Sequence, residues 1–430
     1  MFQKISILIF IFLIIIPSSY AKNPYITTLD NGLTVIIEED NSVPLVAVDI
    51  WVNAGSAYET RENNGLSHFI EHLVFASTEK RKAGEMDIEM ESLGAVLNAY
   101  TSKDWAHFSS TIRSIYLDNA LEVFFDALTT AKFIPEELEI EKKIILEEIA
   151  RKKLTPKTIV KDLLSEYIYG NHPYSLPIEG IDETVKKLKS EQALEHYKKL
   201  YVPNNMAVVL VGDIDTKKAI ESIQNTFGQM PKSDDKLPQI PSVEKITDKK
   251  RLDINQKLPS FHLAIGYIAP KADNFRDICA MDVIVSHFGY GRVNWLSDHL
   301  ITSKLSKSAL ADFLTQMENA MFSIIVETDK NNSDTIEKHI FSKMEELASF
   351  GIMDSYLEIA KRTLLGKFSA QNETFSGRAV TYGFYNTISS TQFADDYMSC
   401  IRSINNEDIK RVAKEYLQEN HSVVLRVCPE

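Results

Sequence analysis

Two kinds of hydrophobic pattern alternate along the chain. TVIIEEDNSVPLVAVDIWVNAG (34–55) and FHLAIGYIAPK (261–271) are runs of β-branched and aromatic residues and read as strands. FIPEELEIEKKIILEEIARKK (133–153) instead sets aliphatic residues at helical spacing among charges, with Pro135 suited to the first helical position. LGAVLNAYTSKDWAHFSSTI (93–112) reads as a β-hairpin turning at Ser102-Lys103-Asp104. GLSHFIEHLVFAST (65–78) reads as a helix starting near Asn63-Asn64, with Phe69, Ile70, Leu73, Val74 and Phe75 on its apolar face.

The pattern occurs twice. HYKKLYVPNNMAVVLVGDI closes the first half and RVAKEYLQENHSVVLRVCPE the second. Tyr201, Asn205 and Val208 match Tyr416, Asn420 and Val423 at a constant offset of 215 (201 to 416, 205 to 420, 208 to 423). Between them QMPKSDDKLPQIPSVEKITDKK lacks apolar periodicity and reads as a linker. The expected fold class is α+β, with two homologous repeats, each an antiparallel-rich sheet with helices packed on one face. The expected boundaries are 1–21, 22–230, a linker at 231–249, and 250–430.

Composition narrows the class. A chain of 430 residues with 44% hydrophobic and 25% charged residues fits a globular protein of two to three domains. A formal charge of −13 argues against a nucleic-acid partner, because a phosphate backbone selects a basic surface. MFQKISILIFIFLIIIPSSYA has Lys4, an apolar run from Ile5 to Ile16, and small residues before Ala21. It reads as a signal peptide cut after Ala21, giving a periplasmic or secreted protein without a stable membrane anchor. Losing Lys4, the one charged residue of that segment, moves the charge from −13 to −14. Three cysteines, Cys279, Cys400 and Cys428, exclude a disulfide scaffold. They leave open one bridge, such as Cys400–Cys428, or free buried thiols.

The chemistry concentrates in HFIEH. His68 and His72 lie four apart, one turn along one helix face, and two such imidazoles can hold a Zn²⁺ ion. Glu71, on the rim of that face, is placed to act on a water activated by the ion. The sister positions are Val283, Ser286 and His287, so the repeat does not need the trio to fold. A catalytic zinc requires a third ligand. Glu141 and Glu148 lie seven apart on one helix face and Glu147 about 100° away. Periodicity alone leaves Glu147 and Glu148 both open as the donor.

HFIEH, with a glutamate 76 residues after its second histidine and another seven before that (72 to 148, 148 to 141), resembles the pitrilysin, insulysin and mitochondrial processing peptidase family of zinc metallopeptidases. The resemblance covers nearly the whole mature chain, including the duplicated layout. It implies one Zn²⁺ per chain on His68, His72 and Glu148, Glu71 as general base, and Glu141 as a carboxylate backing the ligands. It implies an edge strand at Asn98 and Ala99 that takes peptide substrates by strand addition, with Phe75 packing beneath the site. FSGRAVTYGFYNT matches the family's Arg-x6-Tyr pair at Arg378 and Tyr385, which implies substrate orientation and oxyanion assistance from a partner subunit. Gly377 and Gly383 weaken the helix that this spacing needs. FGYGRVNWLSDHL departs from the family's glycine-rich segment. The expected activity is a zinc endopeptidase acting on unfolded peptides in a homodimeric clamshell, or in a heterodimer with a zinc-less paralogue. The alternative is a subunit that binds peptides or helps assembly without cleaving them.

Overall fold

A computed structural model of the chain describes residues 23–430, so the signal peptide read at 1–21 lies outside the described residues. The first half forms β1 (Tyr25–Thr28), β2 (Thr34–Glu39), β3 (Leu45–Val52), β4 (Asn98–Thr101), β5 (Ala106–Arg113) and β6 (Met206–Gly212). The second forms β7 (Lys250–Gln256), β8 (Phe261–Ile268), β9 (Ser306–Phe313), β10 (Met321–Thr328) and β11 (Ser422–Pro429). Their orders are β1-β2-β6-β3-β5-β4 and β7-β11-β8-β10-β9.

The two sheets repeat one another down to register. Val208 of β6 sits opposite Val35 in a parallel pairing and opposite Ile50 in an antiparallel one. Its sister Val423 sits opposite Lys250 and Gly266 in the same two senses. Ile50 then pairs with Phe108, as Gly266 pairs with Ser323. The fold is α+β in two repeats. Residues 231–249 hold no helix or strand, yet Ile246 is buried in one cluster with Leu164 and Leu425.

The helices do not all stay with their own sheet. The helix Pro156–Tyr169, from the first half, buries Val160, Leu164 and Ile168 against Ala264, Ile325 and Leu425 of the second sheet. The matching helix Phe375–Ile388, also 14 residues long, lies on the first sheet's β3 and β6. Glycine makes each crossing close. A Cβ on Gly266 would come within 2.3 Å of Ile168 Cδ1, and one on Gly383 within 2.0 Å of the Trp51 indole nitrogen. β3 is therefore covered on both faces. Val46, Val48, Ile50 and Val52 face the first half's own helices, while Ala47 and Trp51 join the core of the second half. This explains why β3 reads as an almost continuous apolar run rather than an alternating one.

Polar contacts bind the halves as well. Buried Asp104, in the turn after β4, accepts the Tyr174 hydroxyl and the Met317 amide, the latter at 3.1 Å. The Tyr174 oxygen in turn accepts the Glu318 amide at 3.1 Å. All three cysteines are free, and Cys400 shares a hydrogen bond with Cys279 rather than with Cys428.

Candidate metal centre

HFIEH lies in the helix Leu66–Val74, which buries Phe69, Ile70, Leu73 and Val74. Its start is held from a distance. Gly65 is left-handed (φ 96°), and a Cβ there would come within 2.8 Å of the Glu179 carbonyl oxygen. The cap is the buried carboxylate of Glu59, which accepts from the Gly65 amide (2.8 Å), the Ser67 amide (2.6 Å) and the Asn64 side chain (3.0 Å). A carboxylate at the positive end of a helix satisfies otherwise orphaned amides. Burial nevertheless pushes the Glu59 acid up to about 7, against those donors. Ser67 Oγ also donates to the Gly55 carbonyl at 3.0 Å, so the helix is pinned to the segment after β3.

The second carrier is the helix Pro135–Lys152, with Pro135 at its start and Leu138, Ile145 and Ile149 buried. That burial pattern turns Glu141 and Glu148 inward and leaves Glu147 exposed. Glu148 Oε2 lies 3.8 Å from Nε2 of His68 and 3.8 Å from Nε2 of His72. One ligand atom from each of the three lies within 4.8 Å of the others. Tetrahedral zinc with bonds of about 2.0–2.1 Å separates its ligands by about 3.4 Å, so the donor types and spacing fit an ion that would draw the three side chains closer together. His72 Nδ1 lies 2.9 Å from Glu141 Oε2, which leaves Nε2 as the free lone pair.

The electrostatics suit a cation. Burial, then His72, drop the His68 imidazole to about 4, keeping it neutral and able to ligate. Burial lowers His72 too, but the Glu141 hydrogen bond and the charges of Glu71, Glu141 and Glu148 outweigh it and raise its pKa. Burial raises Glu71, reinforced by Glu148 and Glu179 and opposed by a hydrogen bond from Thr101. Thr101 Oγ1 donates to Glu71 Oε2 at 2.5 Å. Beyond His68, Glu179 pairs with Lys152 at 2.7 Å.

Asn98 and Ala99 lie on β4, which among the described strands is at the edge of the sheet and pairs with β5 alone. Asn98 is exposed, and Ala99 packs toward the core beneath the HFIEH helix. Phe75, at the end of that helix, packs edge-on to Phe108 at 5.7 Å and against Phe124 at 6.3 Å.

Arg378 and Tyr385 are helical, as their spacing requires, but this chain's own metal set is not their neighbour. Their helix covers the Ala47 and Trp51 face of the first sheet, whereas the HFIEH helix packs on the Ile50 and Phe108 face. Arg378 pairs with Glu38 (3.1 Å) and Asp40 (2.6 Å), and Tyr385 is buried among Phe275, Phe384 and Tyr397. In the sister half, aligning the two 18-residue helices Pro135–Lys152 and Asp354–Gln371 end to end puts Ala360 and Lys367 where Glu141 and Glu148 stand. Lys367 rests its ammonium 3.4 Å from the Tyr290 ring centre. The sister site keeps one candidate donor, His287 in the place of His72, and has lost the equivalents of His68, Glu141 and Glu148.

Glu59, which caps the HFIEH helix, and Thr101, which bonds Glu71, are neighbours of the candidate site that spacing does not reveal. Neither belongs to the helical period that marks the ligands.

Comparison with known proteins agrees with this division. The description Insulinase (Peptidase family M16) matches residues 34–182, and Peptidase M16 inactive domain matches residues 187–364. The chain is 28% identical over 426 residues to the zinc protease PqqE of Helicobacter pylori, covering 96% of this chain and 94% of that one. It is 25% identical over 404 residues to the uncharacterized zinc protease YmxG of Bacillus subtilis, covering 93% and 97%. The crystal structure of a protease from Helicobacter pylori superposes with a TM-score of 0.90 at 24% identity, covering 95% of this chain and all of that one. With both halves matched in order, and the candidate metal ligands among the described residues all in the first, the chain belongs to the insulinase family of peptidases, M16.

Proposed function

We propose that the protein is a zinc-dependent endopeptidase that hydrolyses unfolded peptides or short polypeptides. The observation that carries this reading is the convergence of His68, His72 and Glu148, with Glu71 beside them and a free strand edge next to it. His68 and His72, through Nε2, and Glu148 would hold one Zn²⁺ ion. When bound, the ion supplies Lewis acidity toward a water and the scissile carbonyl.

The chain's own groups do the rest. The free edge of β4, at Asn98 and Ala99, pairs with the main chain of an extended peptide, giving affinity with loose sequence preference. Glu71 takes a proton from the attacking water and returns it to the leaving amine. Glu141 holds the His72 ring with Nε2 toward the ligands, and Phe75 supports the helix end by packing.

β4 is the edge strand of the first sheet, and we propose a second copy as the closing wall of a homodimeric clamshell. A zinc-less paralogue is the alternative partner. Arg378 and Tyr385 would assist the oxyanion only in such a partner's site, after Arg378 leaves Glu38 and Asp40. Export through residues 1–21 would place the enzyme in the periplasm or outside the cell.

The test is to purify residues 22–430, measure the mass in solution, and assay an unstructured peptide with and without chelator. Cleavage lost on chelation and restored by Zn²⁺ supports the reading. Cleavage that survives chelation, or metal binding without cleavage, contradicts it, and the second result favours a peptide-binding subunit.

A further inference from the structure

The base and the substrate strand touch through one side chain. Along β4, Asn98 and Tyr100 point to one face and Ala99 and Thr101 to the other, where the HFIEH helix lies. Thr101, opposite Ala106 on β5, reaches that helix and donates its hydroxyl to Glu71 Oε2 at 2.5 Å. A charge-assisted bond from a β-branched side chain has little rotational freedom, so it fixes the carboxylate in one orientation. The other oxygen, Oε1, is then left for the proton it must take.

Thr101 is itself rigidly mounted. Ser102 N donates to Trp105 O at 2.8 Å and closes the hairpin turn. The carbonyls of Ser102 and Lys103 accept the Ser56 and Ala57 amides at 3.1 and 2.7 Å. A Cβ on Gly55 would come within 2.2 Å of the Lys103 oxygen, so the two segments lie in direct contact. Gly55 also accepts Ser67 Oγ from the HFIEH helix at 3.0 Å. The chain thus forms a closed frame from helix to Gly55 segment, to β4 turn, to Thr101, and back to the helix at Glu71.

We propose that Thr101 is a positioning residue that locks Glu71 to the peptide-binding strand, so that a peptide paired along β4 and the base that acts on it share one rigid mount. The inference rests on Glu71 being the base. It goes further by assigning the orientation of that base to the strand that carries the substrate rather than to the helix that carries the ligands.

The test compares Thr101→Val, which keeps the branched shape and removes the hydroxyl, with Thr101→Ser, which keeps the hydroxyl. For each, kcat and KM on an unstructured peptide are measured with bound zinc, the thermal midpoint, and peptide affinity of the chelated protein. Thr101→Val is expected to lower kcat by about 10- to 100-fold, with KM, zinc content and metal-free peptide affinity unchanged. Thr101→Ser is expected to stay within about 3-fold of wild type, since its hydroxyl remains a donor to the carboxylate. Unchanged kcat in Thr101→Val, or a change confined to KM, overturns the proposal. Should Thr101→Val lose metal or stability, Thr101→Ala is measured too, and kcat is expressed per zinc-loaded molecule. A deficit that vanishes on that scale overturns the proposal, and one that persists supports it. Glu71→Gln in the same assay separates the two readings. If it cleaves like wild type, the base assignment fails, and this inference with it.

Discussion

His72 stands between two carboxylates, with Nδ1 2.9 Å from Glu141 and Nε2 3.8 Å from Glu148. In the proposed zinc site one carboxylate would orient the ring and the other would share its metal face, so the two acids should fail differently when removed. Glu141→Ala leaves the three donors in place and frees the His72 ring to rotate. Zinc affinity, measured by competition with a chromophoric chelator, should fall by about 10- to 100-fold.

Glu148→Gln should weaken zinc binding more than Glu141→Ala does, because a donor is removed rather than misaligned. Glu147→Gln should change nothing, since that side chain is exposed on the next face of the helix. Metal analysis after gel filtration distinguishes the three. Equal losses from the Glu147 and Glu148 variants would mean that the helix binds cations through diffuse charge.

Gly383 sits against Trp51, and the close approach of helix Phe375–Ile388 to β3 depends on it. Gly383→Ala should destabilise the protein by about 1–3 kcal/mol through overpacking, despite alanine's higher helix propensity. A urea titration reads the shift. A gain in stability would show that the crossing has slack.

Asp104 gives a pH signature. Burial raises its acid to about 6, ahead of the opposing Tyr174 and Met317 hydrogen bonds. An acid raised in the folded state favours folding most below its unfolded value near 3.8, and that advantage is lost as pH rises through about 6. Relative to Asp104→Asn, wild type should therefore lose up to about 3 kcal/mol between pH 4 and 6.5. Denaturation curves across that range check it. A difference that is flat or grows with pH contradicts the assignment.

Much of this was legible from periodicity. The i, i+4 histidines, the seven-residue spacing of Glu141 and Glu148, and the repeated helix-turn-strand endings follow from short-range geometry. The choice of Glu148 over Glu147 did not, because it depends on which face the helix buries, and Leu138, Ile145 and Ile149 decide that only once packed. Glu59 was invisible because the cap comes from outside the helix, bypassing the local Asn63-Asn64 signal. The helix exchange was hidden for a related reason. An amphipathic period says that Phe375–Ile388 has an apolar face, but not which sheet it covers. Gly377 and Gly383 looked like helix weakeners, whereas Gly383 is the condition for contact with Trp51.

In the proposed mechanism Glu71 acts as a base beside a zinc ion that His68, His72 and Glu148 would hold. Glu71→Gln keeps the size of the side chain and removes its basicity. The direct measurement is peptide cleavage per bound zinc in purified wild type and Glu71→Gln. Equal zinc content and cleavage reduced by at least about 100-fold are expected. Undiminished cleavage by the zinc-loaded variant would contradict it.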